Sequence, residues 1–252
     1  MKDNFSQHAT QYALYRPDYP EVLYSYILGL CKERKIAWDC GTGNGQVATK
    51  LSEYFEQVYA TDISEKQLSN AIKKENIHYS LQPAEHTDFA EGFFDLILVA
   101  QAIHWFDFDL FYREVKRTIK PNGLLIVVGY GLLKVNPEID EIINTFYHNT
   151  IGPYWDAERH YIDEEYKTIP FPFEELSGPD MLSILDWSFE HFMGYINTWS
   201  AVQHFIKEKG YNPVEQLAQD ILPFWPEQEI KKVSFPILLR AGKVHAKDST
   251  SG

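Results

Sequence analysis

The sequence predicts an α/β fold, a mostly parallel sheet wound on both faces by helices. Two observations carry this. From Ile36 to Val128, short runs such as "KIAWDC", "FFDLILVA" and "LLIVVGY" alternate with amphipathic segments. Strands covered by helices on both sides read as unbroken apolar runs, whereas half-solvated strands alternate. The second observation is "DCGTGNG", a glycine-rich stretch leaving the first strand and entering a helix. That junction is where doubly wound sheets bind their ligands.

Each element has its own signal. The aromatic segment "FSQHATQYALYRPDYP", Phe5 to Pro20, precedes the first helix. After "KIAWDC", the stretch "QVATKLSEYFEQ" puts Val47, Leu51, Tyr54 and Phe55 on one helical face. "VYATD" is the second strand, and Ser64 with Gln67 forms a capping box for a helix carrying Leu68, Ala71 and Ile72. "IHYSL" and "FFDLILVA" follow as strands, and "DLFYREVKRTI" is a helix that the breaker "PNG", Pro121 to Gly123, is expected to stop. "LLIVVGY" is the next strand. Beyond it, Gly131 to Asp186 is less periodic and rich in Pro, Tyr and Trp. "LDWSFEHF" then reads as a strand, and helices follow with Val202, Phe205, Ile206, Leu217 and Ile221 on their buried faces. "VSFPILLRAGK" closes the count at seven strands, and Pro236 inside it suits an edge. The expected organisation is one domain over 1–252: a lid and first helix (1–30), a ligand-binding core (36–128), helical cap insertions (131–186 and 192–226) and a flexible polar tail (245–252).

Composition narrows the function. Lys and Arg number 23 against 36 Asp and Glu, a formal net charge of -13 with a pI near 5.1. Such a surface repels phosphate backbones and anionic lipid, so neither nucleic acid nor membrane is an expected partner. Two cysteines make no disulfide framework, no apolar run reaches membrane-spanning length, and no signal-peptide pattern follows Met1. A cytoplasmic location is the expectation. The nine histidines lack Cys/His or H-E-x-x-H spacing, so no metal site is expected. No G-x-S-x-G elbow supports a hydrolase. Oligomeric state is not legible.

The glycine loop reads G-x-G-x-G, with Gln46 where the dinucleotide fingerprint places its third glycine. This weakens a pyrophosphate reading. Asp62 ends the second strand, where a carboxylate can accept two ribose hydroxyls or simply serve the Ser64 helix start. The loop upstream favours the ribose. Three readings stay open: a nucleoside without a pyrophosphate, the dinucleotide of an NAD-type oxidoreductase using the same strand tips, and a non-catalytic nucleoside-binding protein. "QAIHWF", Gln101 to Phe106, faces the same rim. His104 there acts as a base, binds an acceptor carboxylate as imidazolium, or anchors its loop. In "PYWDAERHY", Arg159 and His160 read first as a solvated helix face, and otherwise as cations kept for an anionic acceptor.

Taken together, "WDCGTGNGQVA", "TDIS", "PAEHTDF", "FDLILVAQAIHWFD" and "REVKRTIKPNGLLIV" resemble the class I S-adenosylmethionine-dependent methyltransferases. "YALYRPDYP" and "GYINTWSAV" are similar to small-molecule members such as the trans-aconitate methyltransferases. The resemblance implies a Rossmann-like fold, S-adenosylmethionine as cofactor and a small-molecule acceptor, with a carboxylate among the candidates. Carried over by position, it implies that Asp39, Gly41, Gly43 and Gly45 hold the methionine end of the cofactor. Asp62 would take the ribose, Ile63 the adenine face, and Ala84 and Glu85 the adenine edge. Ala100 and Gln101 would lie under the sulfonium, with Tyr15 and Arg16, joined by Tyr12 and Tyr19, closing as a lid. Tyr12, Tyr19, His104, Trp105, Tyr195 and Trp199 would line the acceptor pocket, His104 being the catalytic candidate.

Overall fold

A computed structural model describes residues 15–244; Tyr12 and the 245–252 tail lie outside the described residues. The chain runs through α1 (Glu21–Leu30), β1 (Ile36–Cys40), α2 (Gln46–Leu51), β2 (Gln57–Asp62), α3 (Glu65–Ser69), β3 (Ile77–Leu81) and β4 (Phe94–Ala100). It continues through α4 (Phe108–Thr118), β5 (Ile119–Tyr130), α5 (Pro137–Thr145), α6 (His160–Asp163), β6 (Glu174–Leu176), β7 (Leu182–Ser188), α7 (Phe189–Asn197), α8 (Ser200–Lys209), α9 (Val214–Ile221) and β8 (Ile230–Lys243). The sheet order is β3-β2-β1-β4-β5-β8-β6, with β7 also paired to β8. The first five strands are mutually parallel, and β8 runs antiparallel to β5, β6 and β7. The winding reverses between β1 and β4, which opens a crevice at their C-terminal ends.

The period-2 geometry of strands sorts the apolar residues onto two faces. Ala37, Leu96, Leu98 and Ile126 pack beneath α1 and α2, while Trp38, Ile97, Val99 and Leu125 pack against α4. A third cluster joins α5, α7, α8 and α9 to the end of β5 and to β7 and β8, with Tyr130, Trp187 and Phe235 at the join. This helical layer comes from the less periodic part of the chain.

Four local expectations are corrected. The sheet has eight strands, the unexpected one being the three-residue β6, too short to leave an alternation. Helix α4 ends at Thr118, ahead of "PNG", and Pro121–Gly123 instead form an irregularity within β5, where Asn122 takes φ 63°. Pro236 is not at an edge: it pairs with Leu182 in β7, and its carbonyl accepts from the Gly131 N–H at 2.9 Å. A proline is tolerated there because β5 ends at Tyr130, so its missing N–H costs no bond inside the β5 ladder. Ile72 is half exposed, since α3 stops at Ser69 before its third apolar position.

Behind the sheet, Glu114 on α4 organises a polar knot. Its Oε1 accepts from the Thr87 N–H at 2.8 Å and the Thr87 hydroxyl at 2.5 Å, and both its oxygens accept from Arg117 at 2.6 and 2.8 Å. Burial works to raise the Glu114 pKa, but the bonds from Arg117 and Thr87 prevail and hold it below the usual carboxylate range. The knot fixes the "PAEHTDF" loop against α4. Glu114→Gln, which keeps the shape and loses the charge, is expected to lower stability by about 1–3 kcal/mol in urea unfolding. The loss should shrink as the pH falls through the depressed pKa of Glu114 and the wild-type carboxylate is itself neutralised.

Candidate active site

The glycine loop turns left-handed three times, with φ 74° at Gly41, 56° at Gly43 and 84° at Gly45, a backbone that side-chain-bearing residues rarely adopt. A Cβ on Gly41 would come within 2.8 Å of the Ala102 Cβ, and one on Gly45 would strike the Tyr79 hydroxyl. The tip at Gly43 faces open space. Asp62 ties this loop to the tip of β2: its Oδ2 accepts from the Gly43 N–H at 2.8 Å and its Oδ1 from the Ser64 N–H at 2.9 Å. The expected Ser64 cap is present, with Oγ accepting from the Gln67 N–H at 3.3 Å.

A cavity of about 250 Å³ opens beside the loop, lined by Asp39, Gly41, Thr42 and Ala100 from the sheet side and by Arg16 and Tyr19 from the N-terminal segment. Asp39 is fully buried. Its Oδ2 accepts from the Thr42 hydroxyl at 2.5 Å, and its Oδ1 makes no hydrogen bond among the described residues. Burial pushes the Asp39 pKa up to about 6, opposed by the Thr42 hydroxyl, the Ala48 amide and the Arg16 guanidinium. The buried Tyr19 hydroxyl likewise has no hydrogen-bond partner among the described residues.

A second cavity, about 60 Å³, lies on the other side of the β4 tip. Gln101, His104 and Trp105 line it from the β4–α4 loop, Tyr130 from β5, and Tyr195 and Trp199 from the helical layer. Trp155, Asp156, Arg159, Ile162, Thr198 and Ser200 complete the wall. Ala100 borders the first cavity and Gln101 the second, so the two meet across one peptide bond. Gln101 itself takes φ 54°, and its amide is locked by two bonds to the Tyr130 backbone, at 3.0 and 3.3 Å. His104 is buried, and its pKa is lowered to about 3 by that burial and by the nearby Arg159 and Arg16 charges. It is therefore neutral near pH 7 in the unliganded protein, which counts against the imidazolium reading.

Arg159 corrects a second expectation. Its side chain is only 20% exposed and does not sit on a solvated face, although the adjacent His160 is exposed. The guanidinium lies 4.6 Å from the Trp155 ring centre, and its Nε donates to the Tyr147 hydroxyl at 2.7 Å. That hydroxyl in turn donates to Asp163 at 2.6 Å. Both Nη groups are without a hydrogen bond among the described residues.

The methyltransferase domain family matches residues 38–127. Over 249 residues, the chain is 35% identical to a Dictyostelium discoideum protein named as a methyltransferase, spanning 96% of this chain and 95% of that one. It belongs to the class I S-adenosylmethionine-dependent methyltransferases. A structure named for a type II methyltransferase of Anaeromyxobacter dehalogenans superposes with a TM-score of 0.86 at 35% identity, over 92% of this chain and 99% of the other. A Saccharomyces cerevisiae protein named as an S-adenosylmethionine-dependent methyltransferase is 27% identical over 58% of this chain and 53% of its own. S-adenosylmethionine is the cofactor of this methyltransferase, and the oxidoreductase and non-catalytic readings are not favoured. The first cavity fits the amino-acid end of that cofactor: the orphaned Asp39 Oδ1 offers an acceptor for an ammonium, and the Tyr19 hydroxyl is an unspent polar group beside it.

The expected site residues separate into three places. Asp39, Gly41, Ala100, Arg16 and Tyr19 share the first cavity, so Tyr19 lies with the expected lid residue Arg16 and does not line the second cavity. Gln101, His104, Trp105, Tyr195 and Trp199 share the second. Gly43, Gly45, Asp62, Ile63, Ala84 and Glu85 line neither; Glu85 Oε1 accepts from the Asp107 N–H at 3.1 Å. Tyr15 packs edge-on against His191, 5.1 Å between ring centres. Tyr195 lies near the end of α7, which stops at Asn197, and Trp199 is the N-cap of α8. Thr42, Tyr130 and Trp155 were missed. Tyr130 was legible as the last residue of a strand; Thr42 and Trp155 carried no signal.

The raised Asp39 pKa is a stability statement. The folded state binds this proton more tightly than the unfolded chain, so the unliganded protein gains stability as the pH falls through about 6 towards 4. Asp39→Asn is expected to stabilise the unliganded protein at pH 8 by about 1–3 kcal/mol, with the difference vanishing near pH 4. Thermal unfolding across that range checks it.

Proposed function

We propose that the enzyme methylates a small carboxylate, held in the second cavity with its charge on Arg159. The observation that supports this is the pairing of a largely desolvated guanidinium with a histidine too weakly basic to remove a proton. An alcohol, phenol or ammonium acceptor wants a base, whereas a carboxylate attacks as it stands. Bound S-adenosylmethionine supplies a methyl group on a sulfonium, a leaving group that needs no activation.

The chain's own work is then binding and alignment. Asp39 accepts from the cofactor's ammonium, and the loop at Gly41, Gly43 and Gly45 admits its amino-acid end without a side chain in the way. Asp62, at the tip of β2 beside the glycine loop, would accept from the ribose hydroxyls. Ile63 would lie against the adenine, with Ala84 and Glu85 at its edge. Arg16 and Tyr19 cover the first cavity, with Tyr15 docked on α7 behind them, while Trp105, Tyr195 and Trp199 exclude water from the second. Exclusion of water and fixed orientation are what an in-line methyl displacement asks of a protein.

Two outcomes test this. In a labelled-methyl screen of carboxylate, phenol and amine acceptors, turnover is expected with carboxylates. Arg159→Met should then lower kcat/KM by about 10²-fold while leaving S-adenosylhomocysteine binding unchanged; turnover confined to amines or phenols would overturn the reading. In calorimetric titration, S-adenosylhomocysteine affinity should fall about tenfold per pH unit below pH 6 as Asp39 takes a proton. Asp39→Asn should bind weakly without that dependence.

A further inference from the structure

Tyr166 stands behind His104, a lining residue of the second cavity, and does so against the preference of its own backbone. It and Glu165 are consecutive residues in the left-handed region, at φ 60° and 56°, and neither is glycine. Such conformations persist where the surroundings over-determine them, and they gather at functional sites.

The surroundings do over-determine it. The Tyr166 N–H donates to the Tyr161 carbonyl at 2.7 Å. Arg240 on β8 donates to the Tyr166 carbonyl at 3.1 Å and to the Ile169 carbonyl at 2.6 Å, and is itself held by Glu175 at 2.7 and 2.8 Å. Gly129 in β5 leaves the space the ring needs: a Cβ there would stand 2.9 Å from the Tyr166 hydroxyl and 2.6 Å from the Gln101 Oε1. A clamp, a missing side chain and a disfavoured turn thus combine to deliver one fully buried phenol. Its hydroxyl ends 3.2 Å from the Nδ1 of His104, with the two rings near parallel at 27°.

We infer that Tyr166 is a positioning residue: its hydroxyl donates to Nδ1 of His104, which places the imidazole proton on Nε2 and makes His104 a hydrogen-bond donor to the methyl acceptor. A neutral imidazole has one donor and one acceptor nitrogen, and the partner of one determines the role of the other. A phenol donates more strongly than it accepts, so Nδ1 is the acceptor. With Arg159, the cavity then presents a charged and a neutral donor, as suits two oxygens of one carboxylate. This rests on the proposed role of the cavity as the acceptor site.

The test is ring-detected nitrogen NMR on the full-length, ¹⁵N-histidine-labelled protein, with the His104 signals assigned through His104→Gln. Wild type should show the Nε2–H tautomer, and Tyr166→Phe should release it into a mixture. Kinetically, Tyr166→Phe should lower kcat with a carboxylate acceptor by about tenfold and leave S-adenosylhomocysteine affinity unchanged. His104→Gln, which retains an N–H, should keep turnover within about tenfold of wild type, whereas loss of a true base costs about 10²–10⁴-fold. An Nδ1–H tautomer in wild type, or a tautomer indifferent to Tyr166→Phe, would overturn the inference. Should the Phe variant not fold, the wild-type tautomer decides alone. Failure of carboxylates in the acceptor screen would sink the substrate reading without touching the tautomer result, because the spectra need no substrate.

Discussion

The bond from the Gly43 N–H to Asp62 holds the rest of the site in place. It joins the turn after β1 to the tip of β2, two parallel strands whose ladder ends just below it. Without it, a loop with three left-handed glycines would have many conformations open to it, since glycine loses more freedom on folding than any other residue. Asp62 selects one of them, and in that conformation the Thr42 hydroxyl donates to Asp39 at the wall of the adjacent cavity. The same carboxylate reaches the Ser64 N–H and so orients the start of α3. One side chain therefore sets the geometry of two strand tips.

The crevice on the opposite side of β4 is built differently. Its walls come from Gln101 and His104 in the core and from Arg159, Tyr195 and Trp199 in the helical layer. Gln101, in a left-handed conformation of its own, is pinned to Tyr130, and Tyr166 is pinned by Arg240. Both strained residues converge on Gly129. The parallel core thus contributes rigid tips, and strain is concentrated where core and added layer touch.

The division between core and layer explains what the sequence disclosed. Strands β1, β4 and β5 were legible because burial on both faces forces continuous apolar runs, and the turn after β1 was legible because three alternating glycines suit a left-handed backbone. The helical layer was harder. Arg159 read as a surface residue because a charged side chain in a short helical turn nearly always is one; its cage of Trp155 and Tyr147 comes from residues whose spacing says nothing of their convergence. Pro236 misled because the rule for proline concerns missing donors, and here the missing donor falls just beyond the end of β5. Tyr166 was invisible altogether: its placement depends on Gly129 and Arg240, 37 and 74 residues away.

The net charge of -13 acquires a different meaning once the guanidinium of Arg159 is set inside it. For an anionic acceptor, approach and capture obey opposite rules. The long-range field of the protein repels it, and dissolved salt relieves that repulsion within a Debye length of about 8–10 Å. The final contact, in a cavity walled by aromatic rings, is sheltered from the same ions. Salt would therefore speed entry while barely loosening the bound state, the reverse of what a surface-exposed cationic site displays.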